Sequence, residues 1–291
     1  MADTAGDKAV TAHLRHIRNE GKAEHTIKGR ELTMKRLARA LPVPLLDATA
    51  DDLYAWRDGL THLKGSTVAC YASAVIAFYR WAAKQGLIPA DPTTDLPVPP
   101  VRRRSPRPIP EADLMLALAH TTPAMRVRQA MVLGGWAGLR SCEIAGLRVE
   151  NLRLRDTPPV VIVSRESSKG AHERVVELSP FVVAEMEAAK LPSHGLAFPA
   201  ANGGQLSANF LCHQVNDHLH ACGTASTFHC LRHRFASQLY QATHDLRLVQ
   251  EMLGHASQST TAGYAAFSRR GATHAVAALP VPGDSAEEPA A

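Results

Sequence analysis

The chain has 291 residues, of which 45% are hydrophobic and 20% charged, and its formal net charge is +5 at pH 7. This composition is ordinary for a soluble globular protein, and the length allows two domains with cores of their own. No apolar run approaches the roughly 20 residues that a membrane-spanning helix needs, so the sequence excludes a membrane-spanning protein. The basic excess lies in the amino-terminal third, which favours a polyanionic partner.

The start of the chain and its cysteines indicate a compartment. The first residues, MADTAGDKAV, are polar and contain no apolar leader. The five cysteines show no compact spacing pattern that would predict a disulfide framework. We therefore expect a reduced protein in the cytoplasm, with no membrane role.

The amino-terminal part of the chain is predicted to be helical. Apolar residues recur every three or four positions at residues 11–21, 26–41, 49–60 and 66–86. Ser66 is predicted as the N-cap of the fourth helix and Gly86 as the residue that ends it. Residues 1–90 are thus predicted to form a four-helix domain. The Pro- and Arg-rich residues 91–109 break every periodicity and are predicted to be a stiff, basic linker.

The second part of the chain combines helices with one hairpin. Helical patterns occur at residues 110–120, 126–139 and 141–147, and again from about residues 180, 207, 227 and 245. The stretches VVIVS and ERVVEL flank a Ser-Lys-Gly turn, which predicts a β-hairpin. We assign residues 110–271 to this domain and residues 272–291 to a tail. The predicted fold class is mainly α with a small β-hairpin or sheet, that is, α+β.

The stretch TFHCLRHRFAS carries a dense group of chemically active side chains. In a helix, His229, Arg232 and His233 stand at positions i, i+3 and i+4, so they project from one face. Such a face suits an anion or a metal ion.

Zinc is the alternative to an anion at this face. His229 and His233 have the spacing of helical zinc ligands, and further ligand types lie nearby at Cys212, His213, Cys222 and Cys230. The glutamate of the HExxH pattern is missing, however, and Arg232 would place a fixed positive charge beside the cation. The sequence therefore favours an anion, and we predict no metal and no other cofactor.

Further motifs lie on either side of this stretch. GLRSCEIAGL contains Arg140 and Glu143, the hairpin turn contains Lys169, and LGH and TTAGY supply His255 and Tyr264. Each has an ordinary structural explanation when taken alone: a capping arginine with its glutamate, a solvated lysine, a capping histidine and a core tyrosine. Their order and spacing together carry more information than any one of them.

In that order, GLRSCEIAGL, the hairpin lysine, HCLRH, LGH and TTAGY resemble the catalytic domain of the tyrosine recombinases, the family of the phage integrases and the Xer-type enzymes. The resemblance covers most of the chain, and the four-helix unit resembles the family's core-binding domain. It implies a site-specific DNA recombinase with residues 110–271 as catalytic domain. Departures are small: Glu177 stands where a proline is frequent, and Gly263 precedes Tyr264 in place of an aliphatic residue.

The resemblance implies a separate role for each of these residues at the scissile phosphate. Arg140 and Arg232 hold the non-bridging oxygens, because guanidinium groups donate in a planar, bidentate way. Tyr264 attacks phosphorus and forms a 3′-phosphotyrosine without metal or ATP. Lys169 is the general acid that protonates the departing 5′-oxygen.

Four histidine and glutamate side chains complete the implied site. His229 and His255 donate hydrogen bonds, and His229 also accepts the proton of the tyrosine. Glu143 braces Arg140 or a backbone donor. His233 supports the helix and has no direct chemical role.

The resemblance also implies the partners. Double-stranded DNA with paired inverted half-sites lies between the two domains, and linker arginines contact phosphates: Arg102, Arg103, Arg104 and Arg107. Affinity of this kind is largely insensitive to sequence and steeply salt-dependent, although a merely solvated linker is the alternative. A homotetramer forms in the synaptic complex, and residues 273–279 are a candidate helix for docking on the neighbouring subunit. Directionality factors and host factors stay open.

Two other functions compete with recombination. A type IB topoisomerase would use the same chemistry to relax supercoils without a partner site, but the compact core-binding unit argues against it. A DNA-binding regulator with a decayed site is disfavoured by the complete set of reacting residues. Integration or excision of mobile DNA and resolution of dimers are not separated by the sequence.

Overall fold

The computed structural model describes residues 4–101, 105–164 and 173–254. These residues form two compact units, and the division falls between residues 101 and 105, inside the predicted linker. Each unit has its own hydrophobic core. In the described ranges, no helix is long and apolar enough to cross a bilayer.

The first unit is built from the four predicted helices. They are α1 (Thr4–Asn19), α2 (Glu24–Ala40), α3 (Ala50–Asp58) and α4 (Gly65–Lys84), with a short 3-10 helix at Leu45–Asp47. Along α4 the side chains of Ala72, Val75, Phe78, Tyr79 and Ala82 are buried, which is the three- and four-residue spacing of one helix face. The helical prediction for this part of the chain is confirmed.

The start of α4 differs from the prediction. The helix begins at Gly65, and Lys64 is the N-cap, with extended backbone and no capping side chain. The Lys64 carbonyl accepts the first helical hydrogen bonds, from the amides of Thr67 and Val68 at 2.8 and 3.1 Å. Ser66 therefore lies inside the first turn, because a backbone carbonyl one residue before Gly65 closes that turn without a side-chain cap.

His13 of α1 is buried in the first unit between aromatic side chains. It is 2% exposed, its ring contacts Phe78 and Trp81, and neither ring nitrogen has a hydrogen-bond partner among the described residues. Burial, with the positive charge of Arg30 as a smaller cause, lowers the pKa of His13 to about 4. The folded unit therefore favours the neutral ring.

Acidification is expected to destabilise the chain through His13. A depressed histidine pKa leaves stability intact above the unfolded value of about 6.5. As the pH falls from there to 4, protonation removes about 3 kcal/mol of the free energy of unfolding. In denaturant unfolding, the His13→Leu variant should lose less stability than the wild type between pH 7 and pH 4. Parallel pH dependences of the two proteins would contradict this expectation.

Both ends of the predicted linker pack on a core. Leu96 is buried in the core of the first unit, and the Tyr54 hydroxyl donates to the Asp95 carbonyl at 2.6 Å. Ile109 is buried in the core of the second unit, where its amide donates to the Cys230 carbonyl at 3.2 Å. Each end of this segment is thus anchored to one unit.

The second unit combines helices with a small sheet. Its helices are α5 (Glu111–Ala119), α6 (Arg126–Trp136), α7 (Ser141–Ala145), α8 (Pro180–Ala188), α9 (Ala208–Ala221), α10 (Phe228–Thr243) and α11 (Leu246–Leu253). The strands β1 (Leu152–Arg153), β2 (Val160–Val163) and β3 (Arg174–Glu177) form an antiparallel sheet in the order β1-β2-β3. The α+β fold class and the hairpin are confirmed; the short β1 has no alternating pattern long enough to predict it.

The sheet register decides which side chains face the core. Val160 pairs with Glu177 and Val163 with Arg174, and every second side chain of each strand is buried. Arg174 and Val176 share the inner face of β3, because side chains alternate along a strand. A charged arginine thus points into the protein at the start of β3.

Candidate active site

The site begins at the turn that joins α6 to α7. Arg140 directly precedes α7, and Glu143 lies three residues later, in its first turn. The Glu143 carboxylate accepts hydrogen bonds from the Arg140 amide and from Arg140 Nη1, both at 2.7 Å. This local loop fixes the Arg140 side chain, which is 20% exposed, beside a fully buried carboxylate.

Gly138 sets the direction of this turn. Its φ is +65°, and a Cβ at this position would lie 2.4 Å from Phe235 Cδ1 on α10. Only glycine satisfies both the left-handed backbone and the close approach of Phe235. The turn is thereby held against α10, and the Gly138 carbonyl accepts a hydrogen bond from Nη1 of Arg232.

Arg232 is the most deeply buried arginine of the site. It lies on α10, is 2% exposed, and donates to the Gly138 carbonyl and, through Nη2 at 2.5 Å, to the Leu253 carbonyl at the end of α11. Its Nη1 is 3.8 Å from Glu143 Oε2. Arg140 and Arg232, which are far apart in the sequence, are thus brought to the same carboxylate.

Arg174 is a third arginine of this cluster, and the sequence analysis missed it. Its Nη1 and Nη2 donate to the two carboxylate oxygens of Glu143 at 2.8 and 2.7 Å, and its Nε donates to the Met252 carbonyl at 2.9 Å. A signal was available in the alternation of ERVVEL, which places Arg174 on the same side as Val176. A basic residue on the inner face of a strand needs a buried acid.

The charges of the cluster favour an anion. Among the described residues, the guanidinium groups of Arg140, Arg174 and Arg232 gather around the carboxylate of Glu143 alone. Burial by itself would raise the pKa of Glu143, but the Arg174 hydrogen bonds, the charges of Arg174 and Arg232 and the Arg140 amide lower it to about 2. Glu143 is therefore ionised at neutral pH, and the cluster retains a net positive charge.

The two histidines of α10 lie beside Arg232. His229 is exposed in the first turn of the helix, and its ring meets that of His233 edge-on, with centroids 4.5 Å apart. Burial, with smaller effects of the His229 and Arg232 charges, lowers the pKa of the half-buried His233 to about 4. His233 is therefore neutral at pH 7.

Several predicted site residues fall outside the described residues: Lys169, His255, Tyr264, Arg102, Arg103 and Arg104. Arg107 is described and is exposed. The helix α11 stops at Leu253, and Gly254, the residue before His255, has a φ of +61°. In the part of the chain that the structure describes, no three His, Cys, Asp or Glu side chains form a group able to hold a metal ion.

Sequence comparison places this site in a known family. The sequence model of the phage integrase family matches residues 110–270. The tyrosine recombinase XerD of Pseudomonas aeruginosa is 31% identical to the chain, over 84% of the chain and 82% of that protein. The tyrosine recombinase XerC of Neisseria gonorrhoeae is 33% identical to the chain, over 87% of the chain and 88% of that protein.

Solved structures share the fold. A lambda integrase tetramer bound to a Holliday junction gives a TM-score of 0.72 at 18% identity, over 89% of the chain and 76% of that chain. The XerH recombinase bound to a difH substrate gives a TM-score of 0.65 at 22% identity, over 87% of the chain and 79% of that chain. By the family match and the relatives above 30% identity, the chain belongs to the phage integrase family and is a tyrosine-type site-specific DNA recombinase.

Proposed function

We propose that this recombinase cuts and rejoins DNA strands at a phosphate held by Arg140 and Arg232, with Tyr264 as the nucleophile. One observation carries the proposal: Arg140 and Arg232 converge on Glu143, in a cluster whose positive charges outnumber its negative one. A phosphodiester is anionic, and charge builds on its non-bridging oxygens during displacement. Fixed guanidinium donors stabilise that charge without reorganising.

Arg140 and Arg232 differ in how accessible they are to solvent and to a bound phosphate. The side chain of Arg140 is 20% exposed, so it can meet a phosphate directly. Arg232 is 2% exposed and donates to the carbonyls of Gly138 and Leu253. Its contact with a phosphate requires these carbonyls to move or to share its donors when DNA binds.

The chemical step needs a nucleophile and an acid. A phenol has a pKa of about 10, so Tyr264 attacks well only where positive charge favours the phenolate and a base accepts its proton; His229 is that base. The new bond joins the Tyr264 oxygen to phosphorus, and the bond to the 5′-oxygen breaks. Lys169 gives that oxygen its proton. The 5′-hydroxyl of a second strand then attacks the 3′-phosphotyrosine and releases Tyr264.

The remaining histidines are supporting members of the site. His255 follows the glycine that ends α11 and donates a hydrogen bond to the phosphate. His233 stays neutral because its pKa lies near 4, so it packs against His229 without competing for the anion. The site uses no metal and no other cofactor.

DNA binding and assembly follow from the same proposal. Two solved structures with the same fold are a lambda integrase dimer bound to a core site and a tetramer bound to a Holliday junction. They support binding of double-stranded DNA with paired inverted half-sites by a homotetramer. Residues 1–90 serve as the core-binding domain, and the arginines between residues 102 and 107 contact phosphates. Residues 273–279 dock on the neighbouring subunit. We place these events in the cytoplasm.

Covalent trapping tests the proposed function. The substrate is a duplex that the full chain selects from a random pool, called the selected DNA. A nick near the cleavage position lets the cut end diffuse away, so that the adduct accumulates. The wild type should form an adduct whose peptide map places the nucleotide on Tyr264. An adduct at another residue, or none, would overturn the proposal. Relaxation of a plasmid without the selected sequence would instead indicate a type IB topoisomerase.

A further inference from the structure

We propose that Arg174 is a positioning residue that satisfies both oxygens of the Glu143 carboxylate and thereby limits how strongly Glu143 competes with the scissile phosphate for Arg140 and Arg232. The inference rests on the proposed function, because it concerns the same phosphate. It assigns a role to a side chain that comes from β3, not from the helices that carry the two arginines.

Arg174 and Glu143 form a buried ion pair. Arg174 meets Glu143 in a fork, with one nitrogen on each carboxylate oxygen at 2.8 and 2.7 Å. Their side chains are 6% and 0% exposed, so water does not screen the contact. A bidentate arginine–carboxylate pair is among the strongest hydrogen-bonded contacts between side chains.

Loss of Arg174 would leave the buried Glu143 carboxylate without its forked partner. A buried carboxylate must find compensating charge or take up a proton. The nearby guanidinium groups in the described part of the site would then be Arg140, already 2.7 Å from Oε1, and Arg232, 3.8 Å from Oε2. Without Arg174, Glu143 would therefore compete with the phosphate for both arginines.

Arg174 also contacts the end of α11. Its Nε donates to the Met252 carbonyl, and a Cβ on Gly254 would lie 3.0 Å from its Cδ and Nη1. Arg232 donates to the neighbouring Leu253 carbonyl. Arg174 thus fixes the carboxyl end of α11. The Leu253 carbonyl at this end accepts a hydrogen bond from Arg232, and His255 follows shortly after it.

The experiment compares Arg174→Gln with a matched buried pair. Arg128 also holds a glutamate in a fork, Glu185 at 2.7 and 2.6 Å, with side chains 16% and 12% exposed. It lies in the first turn of α6, at the end away from Arg140. Arg128→Gln therefore reports the general effect of breaking such a pair in this unit.

The readout is the single-turnover rate of adduct formation on the selected DNA, at saturating protein. We expect Arg174→Gln to slow it by about 100-fold, as misplacement of a reacting group does, with DNA affinity within about three-fold of wild type. For Arg128→Gln, both the rate of adduct formation and the DNA affinity should stay within about three-fold of wild type. Equal rates for the two variants would overturn the inference, whereas absence of an adduct on Tyr264 in the wild type would overturn the proposed function instead.

A sulfur-substituted substrate tells how Arg174 acts. A 5′-bridging thiol has a pKa of about 8.5 and leaves without a proton, so this substrate should restore the rate of Lys169→Ala. Arg174→Gln should stay slow on it, because its defect lies in charge stabilisation. Full recovery of Arg174→Gln would show that Arg174 acts through the general acid, against the inference.

A double-variant test asks whether Glu143 transmits the effect. Glu143→Gln and Arg174→Gln remove partners of one contact, so the double variant should cleave no more slowly than the slower single variant. A rate equal to the product of both single losses would overturn the inference. Should Arg174→Gln fail to fold, Arg174→Lys replaces it: lysine cannot form the fork, so a rate within two-fold of wild type would contradict the proposed role.

Discussion

Replacing Tyr264 by phenylalanine is expected to abolish the covalent adduct with the selected DNA. The substitution removes one oxygen atom, and no bond to phosphorus can form from a phenyl ring. DNA binding should persist, because affinity comes chiefly from arginine and lysine contacts to phosphates. The measurement is adduct yield on a denaturing gel, paired with a binding titration in the same buffer.

The matched control is Tyr240→Phe. Tyr240 lies on α10 in the same unit, is half-buried, and contacts the ring of His244. Loss of its hydroxyl should leave adduct yield within about two-fold, because an exposed or partly exposed hydroxyl contributes little to folding. An adduct that persists in Tyr264→Phe, or disappears in Tyr240→Phe, would remove Tyr264 from the role of nucleophile.

Replacing Arg140 by alanine is expected to lower the rate of adduct formation by about 10²–10³-fold, the range found when one fixed donor to a developing oxyanion is removed. Arg140 is the more accessible arginine of the cluster, and Glu143 keeps both Arg174 hydrogen bonds in the variant. The loss should therefore fall on the chemical step. Arg140→Lys should recover only part of the rate, because an ammonium group does not donate to two oxygens in a fixed plane.

Arg148→Gln is the control for loss of a surface charge. Arg148 is 56% exposed and pairs with the exposed Glu150 at 3.3 Å. Its replacement should leave both the cleavage rate and the thermal midpoint almost unchanged, since exposed ion pairs contribute little. If Arg140→Ala cleaved as fast as Arg148→Gln, the assignment of Arg140 to the phosphate would fail.

The roles of Lys169, His255 and Tyr264 remain predictions, because these residues lie outside the described ranges. The structure places Arg140, Glu143 and Arg232 together, and the substitutions at Arg140 and Glu143 test the roles of those two residues. The domain boundaries at residues 90, 110 and 271 also remain predictions, although a division between residues 101 and 105 lies within the predicted linker.

The sequence by itself determined the helices, the hairpin and the family, because the first two depend on local patterns and the family is recognised from the order of short motifs along the chain. Apolar spacing along α4 and alternation in β2 and β3 are visible within a few residues, and so are the motifs around Arg140 and Arg232. The end of α11 at Gly254 was likewise predictable from the glycine itself. Such signals need no knowledge of distant contacts.

Only the tertiary structure decided which charges meet. Arg174 and Glu143 are 31 residues apart, and Arg232 reaches the carbonyl of Gly138 across 94 residues. The alternation in β3 predicts that Arg174 faces the core, but it does not show which carboxylate pairs with it. The chain has many acidic residues, and only the packing of the core brings one of them to Arg174. Burial then removes water and leaves Glu143 with the guanidinium groups that packing brings within reach.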